Sequence, residues 1–348
     1  MTNAAEVLIE RNGSLGRIKL NRPNVLNSAN INVIRMVASA LQQFAADQTV
    51  AAVLITGEGD RAFCAGGDIK DLYTYGKEDP DGTAGFWREE YPVNYSISAY
   101  PKPYIAFMDR ITMGAGVGLS AHGNYRVVTE RTRLAMPETA IGYFPDVGAS
   151  WLLSKAPGES GTWLGLTGSS VDGADAIYLG LADYYVPSYK LDDLESALSA
   201  ASDKAEIGKV IQFHSEAPPP SNLQEHQALL DRVFAGDDLK KMFLALATDS
   251  SEFAQSTLQT LQSRSPTGMK LTLRLLREAK NSSGLQECLE REYHASLQSL
   301  KHHEFYEGIR AVVIDKDRNA KWDPPTIDGV DEDLIESFFP PKTGTLVF

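Results

Sequence analysis

The sequence predicts an α/β fold in which parallel strands alternate with helices, and three observations lead to that prediction. Short runs rich in β-branched residues, such as residues 50–56, are typical of strands buried on both faces of a sheet. Gly-rich turns occur at residues 65–67 and 114–118, each after such a run. Each turn then enters a segment with helical spacing. In an α/β core built this way, ligands bind at the edge of the sheet where the strand-to-helix turns meet.

The first part of the chain contains a hairpin, a helix and a buried strand. Residues 6–10 and 16–20 alternate between apolar and polar side chains and are joined across Asn12-Gly13, which favours a tight turn. Apolar side chains then recur at helical spacing over residues 31–47, ahead of the buried run. A turn-rich passage, residues 57–72, follows that run and leads into another predicted helix.

The same pattern is repeated further along the chain. A strand at 104–108 precedes a Gly-rich helix entry at 114–123, and two more strands are predicted before a loop at 135–150. The Pro-rich segment 215–222 is the clearest linker in the sequence. It predicts a division into a Gly-rich core at 1–214, the linker itself, and a charged, helix-rich C-terminal region at 223–348.

Composition excludes several classes of function. The 348 residues are 43% hydrophobic, which is enough for a sizeable core. The count of 46 acidic against 33 basic residues gives a net charge of −13, which disfavours nucleic acid and anionic membranes as partners. No apolar run approaches the roughly 18 residues of a membrane span. We therefore expect a globular protein with neither a nucleic-acid partner nor a membrane partner.

The two cysteines, Cys64 and Cys288, are too few for a disulfide framework, and no Cys or His spacing is typical of a metal site. We therefore expect no metal. The N-terminal residues have neither the basic and apolar regions of a signal peptide nor the Arg- and Ser-rich helix of a transit peptide. These features predict a reducing compartment, and the cytoplasm in particular.

Two carboxylates in the stretch AMPETAIGYFPDVGAS, residues 135–150, stand among apolar and turn-forming neighbours. Glu138 follows a proline, and so does Asp146, which prevents the two from sharing one regular helix and fixes where each side chain points. If they are buried, one acid can act as base or nucleophile while the other manages a proton. The alternative, a solvent-exposed loop, is equally compatible with the pattern.

The two Gly-rich turns, FCAGGDIK and TMGAGVGLS, offer backbone N–H groups with little side-chain obstruction. Helix N-termini favour negative charge, so one N–H from each turn would form an oxyanion hole for an acyl group. The alternatives are an ordinary turn with Asp68 as N-cap and a close-packed helix. In FWREEY, Glu89 or Glu90 would line a pocket next to aromatic rings, although adjacent acids of this kind are more often solvated.

Taken together, LNRPNVLN, AFCAGGDI, GAGVGL and PETAIGYFPDVG resemble the enoyl-CoA hydratase/isomerase (crotonase) superfamily in order and spacing. The resemblance runs nearly end to end and includes FWREEY and SPTGMKLTLRLL. It implies a crotonase-like spiral of ββα units with a C-terminal helical region that caps the site or builds homo-oligomers. It also implies an acyl-CoA substrate, with coenzyme A as part of that substrate and no separate cofactor.

The resemblance assigns roles to individual residues. Oxyanion N–H groups fall on Gly67 and Ala115, and the catalytic acids on Glu138 and Asp146. In the implied reaction the two amides polarise the thioester carbonyl, and Glu138 either attacks it or activates a water that does. The remaining implied residues are substrate contacts at Glu90, Asp68 and Gly114 and coenzyme A phosphate contacts at Arg61 and Lys70.

Two departures from the hydratase pattern favour hydrolysis. Gly118 stands where hydratases of the family normally carry a second glutamate, and Asp146 stands where they commonly have glycine. The implied activity is hydrolysis of a short β-hydroxyacyl-CoA, such as 3-hydroxyisobutyryl-CoA in valine breakdown. A lyase or isomerase of the same fold and a catalytically silent CoA-binding protein are the alternatives. Ala115 in place of glycine needs a negative φ, and Arg110 would either narrow the acyl pocket or contact a phosphate.

Overall fold

The computed structural model describes residues 5–201, 203–339 and 346–348, which form two compact units. Each unit is built from three separate stretches of chain. The first comprises Met1–Gly67, Pro92–Leu134 and Val171–Ser221, and the second comprises Asp68–Tyr91, Ala135–Ser170 and Asn222–Phe348. Residues 1–4, to which the reading of the N-terminus applies, and residues 340–345 of the predicted C-terminal region lie outside the described residues. The three-part division around 215–222 stays a prediction.

The strands of the described residues are short, and most belong to the first unit. They are β1 Val7–Asn12, β2 Leu15–Leu20, β3 Ala52–Gly57, β4 Ala62–Cys64, β5 Tyr104–Phe107, β6 Ile111–Met113, β7 Tyr125–Val128, β8 Arg133–Ala135 and β9 Tyr184–Tyr185.

Helices separate these strands and make up most of the second unit. The first ten are α1 Ile31–Ala46, α2 Lys70–Tyr75, α3 Pro80–Thr83, α4 Gly85–Ser98, α5 Ala115–Ser120, α6 Ala149–Leu153, α7 Ser160–Thr167, α8 Gly173–Tyr178, α9 Leu191–Ala200 and α10 Lys204–His214. The C-terminal helices are α11 Asn222–Glu225, α12 Gln227–Phe234, α13 Leu239–Thr248, α14 Glu252–Gln262, α15 Pro266–Ala279, α16 Leu285–Ser299, α17 His303–Ile309 and α18 Glu332–Glu336. Short 3₁₀ turns lie at Pro23–Val25, Glu138–Ile141 and Ser188–Lys190, and a π-helical turn at Arg310–Ile314.

Two sheets organise the strands. The larger has the order β1-β2-β3-β5-β7-β9 and the smaller the order β4-β6-β8. Only the β1–β2 pair of the larger sheet is antiparallel, which confirms the predicted hairpin with Gly13 at its tip in the left-handed region, φ 59°. The other pairs of that sheet are parallel. The α/β prediction is therefore confirmed, as is the helix-rich character of the C-terminal region.

Strand β3 is the centre of the first unit's core. Its residues Ala52 to Ile55 are buried on both faces, as the uninterrupted apolar run predicts. Helix α1 begins where Asn30 accepts a hydrogen bond from the Val33 N–H, and its buried face includes Ile34, Val37 and Leu41. The apolar residues that recur at helical spacing in the sequence therefore form the buried face of α1.

Several local expectations are corrected. Strands β4 and β6 were not predicted, because they have three residues each, too few to produce a period-2 pattern. The stretch 135–150 contains a 3₁₀ turn and the start of α6, so it is not a plain loop. Ile69, without a side-chain cap, precedes α2, so the alternative of Asp68 as N-cap is wrong. Among the described residues, none of the helices has the length and apolar character that crossing a bilayer requires.

Candidate functional site

The turn after β4 lies beside the turn after β6 in the first unit, because the two strands pair in parallel with Cys64 opposite Thr112. The first turn is fixed by Gly66, whose φ of 112° suits glycine alone, and by hydrogen bonds from the Ala29 N–H to the Gly66 carbonyl and from the Ala65 N–H to the Leu26 carbonyl. Both Gly-rich turns therefore follow adjacent strands of one sheet.

The second turn places Gly114 at the N-cap of α5 with φ 51° and ψ −119°, a conformation that side chains rarely adopt. Ala115 is the first residue of the right-handed helix and is not among the residues with positive φ, so its methyl group causes no backbone strain. A Cβ at Gly116 would lie 2.4 Å from the Cys64 carbonyl oxygen, which shows how closely the two turns approach.

The N–H groups of Gly67 and Ala115 have no acceptor among the described residues. Unpaired N–H groups at the start of a helix and at a neighbouring turn suit a developing negative charge on oxygen. The first unit therefore brings together Gly67, Gly114 and Ala115, as the sequence predicts, in an arrangement that can bind an oxyanion.

The second unit brings together Glu90, Glu138 and Asp146. Glu138 begins the 3₁₀ turn after Pro137 and is only 6% exposed, while Asp146 is 7% exposed and Glu90 is 1% exposed. The solvent-exposed alternatives for the loop and for Glu90 are therefore wrong. Burial of several carboxyl groups is costly, so the arrangement is explained by chemistry more readily than by folding.

The backbone around Asp146 is strained. Val147 has φ 55° and Gly148 has φ 81°, and a β-branched residue in the left-handed region is a clear outlier. Such a residue costs on the order of 1–3 kcal/mol and persists only where neighbouring groups hold it. The carboxylate of Glu292 does so, since it accepts hydrogen bonds from the Gly148 N–H at 2.7 Å, the Ser150 N–H at 3.0 Å and the Ser150 hydroxyl at 2.5 Å.

Two tyrosine hydroxyls lie within hydrogen-bond distance of Asp146 Oδ2. Tyr91 lies 2.7 Å from Oδ2, and Tyr143 lies 3.4 Å from the same oxygen. Burial raises the pKa of Asp146 to about 6, and the hydrogen bond from Tyr91 is the first of the contacts that oppose this rise. A carboxyl group with a pKa in this range exchanges protons near neutral pH.

The neighbouring carboxyl groups are also perturbed. Burial raises the pKa of Glu90 well above its ordinary value, and the charges of Asp146 and Glu138 raise it further. The pKa of Glu138 is raised by burial and then by Asp146. Glu90 Oε1 and Glu138 Oε2 have no hydrogen-bond partner among the described residues, so each has a free oxygen for a ligand or water. Groups of this kind are candidates for proton transfer or nucleophilic attack.

The other predicted contacts have less defined surroundings. Arg61 is exposed and donates to the Pro23 carbonyl at 2.9 Å, Lys70 is exposed at the start of α2, and Asp68 is half-buried. Arg110 has φ 69°, and its Nε lies 3.6 Å from Asp109 Oδ2 beside a cavity of about 310 Å³ in the first unit. No group of three or more His, Cys, Asp or Glu side chains in the described part of the chain is arranged as a metal site.

The sequence did not predict the contacts that four residues make in the site: Tyr91, Tyr143, Glu292 and Ser296. The tyrosines adjoin predicted motifs, but nothing local indicates that their hydroxyls meet one carboxylate. For α16 a signal exists, because Leu285, Cys288, Leu289, Glu292 and Ser296 follow helical spacing on one buried face. Polar residues within an apolar stripe are a reason to expect a buried partner.

The pH dependence of stability follows from the buried carboxyl groups of the second unit. Burial raises the pKa of Asp146 to about 6, of Glu304 to about 7 and of Glu292 to about 8, above their unfolded values. Between pH 5 and 8 the folded protein therefore binds more protons than the unfolded chain does. The free energy of unfolding is expected to fall as pH rises through this window, by as much as ~1.4 kcal/mol per pH unit for each ionising group.

Urea unfolding at pH 5, 6, 7 and 8 and constant ionic strength measures this fall. Glu304→Gln should flatten the slope, because glutamine does not titrate and its carbonyl can still accept from the Ser265 hydroxyl. Stability that increases from pH 5 to 8 would contradict the expectation.

Comparisons with known proteins agree on one family. The enoyl-CoA hydratase/isomerase family model matches residues 15–339. A 3-hydroxyisobutyryl-CoA hydrolase, mitochondrial, of Xenopus tropicalis is 42% identical over 341 residues, covering 96% of this chain and 88% of the relative. The human protein of the same name is 40% identical over 343 residues, covering 97% and 89%.

Solved structures give the same fold. A carnitinyl-CoA dehydratase from Mycobacterium thermoresistibile superposes with a TM-score of 0.95 at 39% identity, covering 99% of both chains. An enoyl-CoA hydratase from Rhodobacter sphaeroides superposes with a TM-score of 0.92 at 38% identity, covering 99% of this chain and 100% of the other. The crotonase fold expected from the motifs is thus confirmed.

Proposed function

Because the chain belongs to the enoyl-CoA hydratase/isomerase family, we propose that it hydrolyses 3-hydroxyisobutyryl-CoA to 3-hydroxyisobutyrate and coenzyme A. The curated relatives named for this reaction match the chain over nearly its full length. One structural observation carries the proposal, namely the buried carboxyl pair of Glu138 and Asp146, in which Glu138 Oε2 has no partner among the described residues. The reaction would lie in valine breakdown.

The oxyanion is assigned to the Gly67 and Ala115 N–H groups, with Gly114 shaping the second turn. Two donors oriented before the reaction stabilise the charge that develops on the thioester carbonyl oxygen. Removing one donor of such a pair typically slows a reaction by ~10²–10³-fold. These amides belong to the backbone, so their position depends on how closely the two Gly-rich turns approach each other at Gly116.

Glu138 is assigned to the chemical step. In one route its carboxylate attacks the carbonyl carbon, the C–S bond breaks, and coenzyme A leaves as the thiolate, which takes up a proton. Water then hydrolyses the resulting anhydride. In the other route Glu138 takes a proton from the water that attacks the thioester. Asp146 is assigned to the substrate hydroxyl or to the transfer of a proton, and Glu90 and Asp68 to substrate contact.

Hydration or dehydration of an acyl-CoA is the second candidate, favoured by the names of the two similar solved structures. A hydratase of this family pairs two acids on one water, and here the position of the second acid is Gly118, a buried residue of α5. That substitution is the reason to place hydrolysis first.

Product analysis separates the candidates. Purified protein is mixed with 3-hydroxyisobutyryl-CoA, released thiol is followed with a thiol-reactive dye, and the acyl product is identified by mass spectrometry. Stoichiometric thiol and 3-hydroxyisobutyrate are expected. Loss or gain of water on an intact thioester would establish the second candidate. Binding of the thioester without turnover would instead identify a silent CoA-binding protein.

The remaining assignments concern the coenzyme A phosphates, the assembly and the compartment. Arg61 and Lys70 are exposed cations and are assigned to the phosphates. Homo-oligomerisation stays a proposal that light scattering would test. A reducing compartment is proposed because two cysteines are too few for a disulfide framework. The cytoplasm, predicted from the sequence, and the mitochondrion, named for the relatives, both satisfy this, and imaging of the tagged protein distinguishes them.

A further inference from the structure

A cluster of three hydroxyl groups surrounds Asp146 on one side, all within the second unit. Ser296 Oγ lies 2.5 Å from the Tyr143 hydroxyl and 3.0 Å from the Tyr91 hydroxyl. Both tyrosine hydroxyls also face Asp146 Oδ2, at 2.7 Å for Tyr91 and 3.4 Å for Tyr143. Ser296 thus lies within hydrogen-bond distance of both tyrosine hydroxyls that can donate to the carboxylate.

Each hydroxyl has one proton, which restricts how these contacts can be satisfied. Ser296 donates its proton to the Glu292 backbone carbonyl at 2.8 Å, one turn earlier in α16. The Ser296 oxygen can then only accept in its other contacts. In the short contact with Tyr143, the Tyr143 hydroxyl is therefore the donor. The Tyr91 proton is therefore the one directed at Asp146, at the shorter of the two tyrosine distances.

We propose that Ser296 is a positioning residue that holds the Tyr143 proton away from Asp146, so that of the two tyrosines only Tyr91 donates to that carboxylate. The inference rests on the proposed function, in which Asp146 contacts the substrate hydroxyl or moves a proton. A carboxylate that receives one strong hydrogen bond is a stronger base than one that receives two. Ser296 thereby sets the basicity of a group that it does not touch.

The titratable groups that face Asp146 come from four elements. Glu90 and Tyr91 belong to α4, Glu138 to the 3₁₀ turn, Tyr143 to the segment that follows, and Glu292 to α16. For Asp146, the side chains that lower the pKa are those of Tyr91 and Tyr143, and no basic side chain in the described part of the chain is among these causes. Among the side chains around Asp146, neutral hydroxyl donors are thus the groups that stabilise its charged form.

Two substitutions should move the pKa of Asp146 in opposite directions. Tyr91→Phe removes the principal donor, so the pKa should rise by about one unit. Ser296→Ala frees the Tyr143 hydroxyl to turn toward Oδ2, so the pKa should fall by a similar amount. General loosening of the site would move both variants the same way, and opposite signs therefore distinguish positioning from a structural role.

The measurement is a ¹³C NMR titration of substrate-free protein labelled at the aspartate carboxyl carbons, with the Asp146 signal assigned through Asp146→Asn. Adding Tyr143→Phe to Ser296→Ala should restore the wild-type pKa, because the redirected donor is then absent. Tyr143→Phe alone should leave the pKa nearly unchanged, and this variant retains a test if Ser296→Ala does not fold. Ser299→Ala is the matched control, since Ser299 is buried in the same helix and donates to the Ala295 carbonyl at 3.0 Å.

The inference would be overturned if the pKa of Asp146 shifted in the same direction in Tyr91→Phe and Ser296→Ala, or if it did not shift in Ser296→Ala. A shift in Tyr143→Phe as large as in Tyr91→Phe would also overturn it. Since the titration needs no substrate, it gives its result whether or not the protein releases thiol. If thiol is released, the acid limb of kcat/KM should move with the same signs as the NMR titration.

Discussion

Glu138→Gln is expected to lower kcat for thiol release from 3-hydroxyisobutyryl-CoA by at least ~10²-fold. Glutamine has the size of glutamate but is neither a nucleophile nor a base, so both routes of hydrolysis lose their reacting group. KM should change little, because the loss concerns the transition state more than substrate binding. Steady-state kinetics of the purified variant, with the unfolding midpoint measured in parallel, provide the measurement.

The control for this variant is Glu225→Gln, the same substitution at an exposed position of the second unit. It should leave kcat and KM unchanged. If Glu138→Gln kept more than about a tenth of the wild-type kcat while correctly folded, the assignment of Glu138 to the chemical step would be wrong.

Glu292→Ala is expected to lower the free energy of unfolding by about 3–5 kcal/mol, since it removes the acceptor of a buried hydrogen-bonded cluster. The N–H groups of Gly148 and Ser150 would lose their acceptor, and the left-handed turn at Val147 would lose its support. Urea unfolding at pH 7 measures the change. A lower kcat should accompany it, because the same turn aims Asp146.

Gln286→Ala provides the comparison, because Gln286 is an exposed residue of the same helix and should change stability by less than about 0.5 kcal/mol. A loss below about 1 kcal/mol in Glu292→Ala would show that the turn holds itself without the carboxylate.

The parts of the fold that the sequence predicts are those set by local pattern. The hairpin at Asn12-Gly13, helix α1 and strand β3 each follow from periodicity and turn chemistry within a few residues. The sequence also indicated the carboxyl pair of Glu138 and Asp146 as a candidate site, because acids among apolar residues and prolines have few structural uses. The pattern alone did not predict which of Glu89 and Glu90 is buried, since neighbouring residues on a helix differ only in the direction they face, and the choice of Glu90 came from the family resemblance.

The parts that the sequence does not predict depend on contacts between distant segments. Glu292 holds the turn at Gly148 across 144 positions, and the Tyr91 and Ser296 hydroxyls meet across 205. No local propensity encodes such a pairing, because it arises only after helices from different stretches have packed. Their effect on the pKa of Asp146 is likewise a property of the assembled unit.

The interrupted course of the chain through the second unit has a consequence for biosynthesis. Asp146 is synthesised long before Ser296, so an incomplete chain contains the acid but lacks helix α16. Contacts of such long sequence separation form late and slow the folding of a domain. A prematurely terminated product therefore contains the motifs of the family but lacks the hydrogen bonds that tune them, and its unfinished core is exposed to proteolysis.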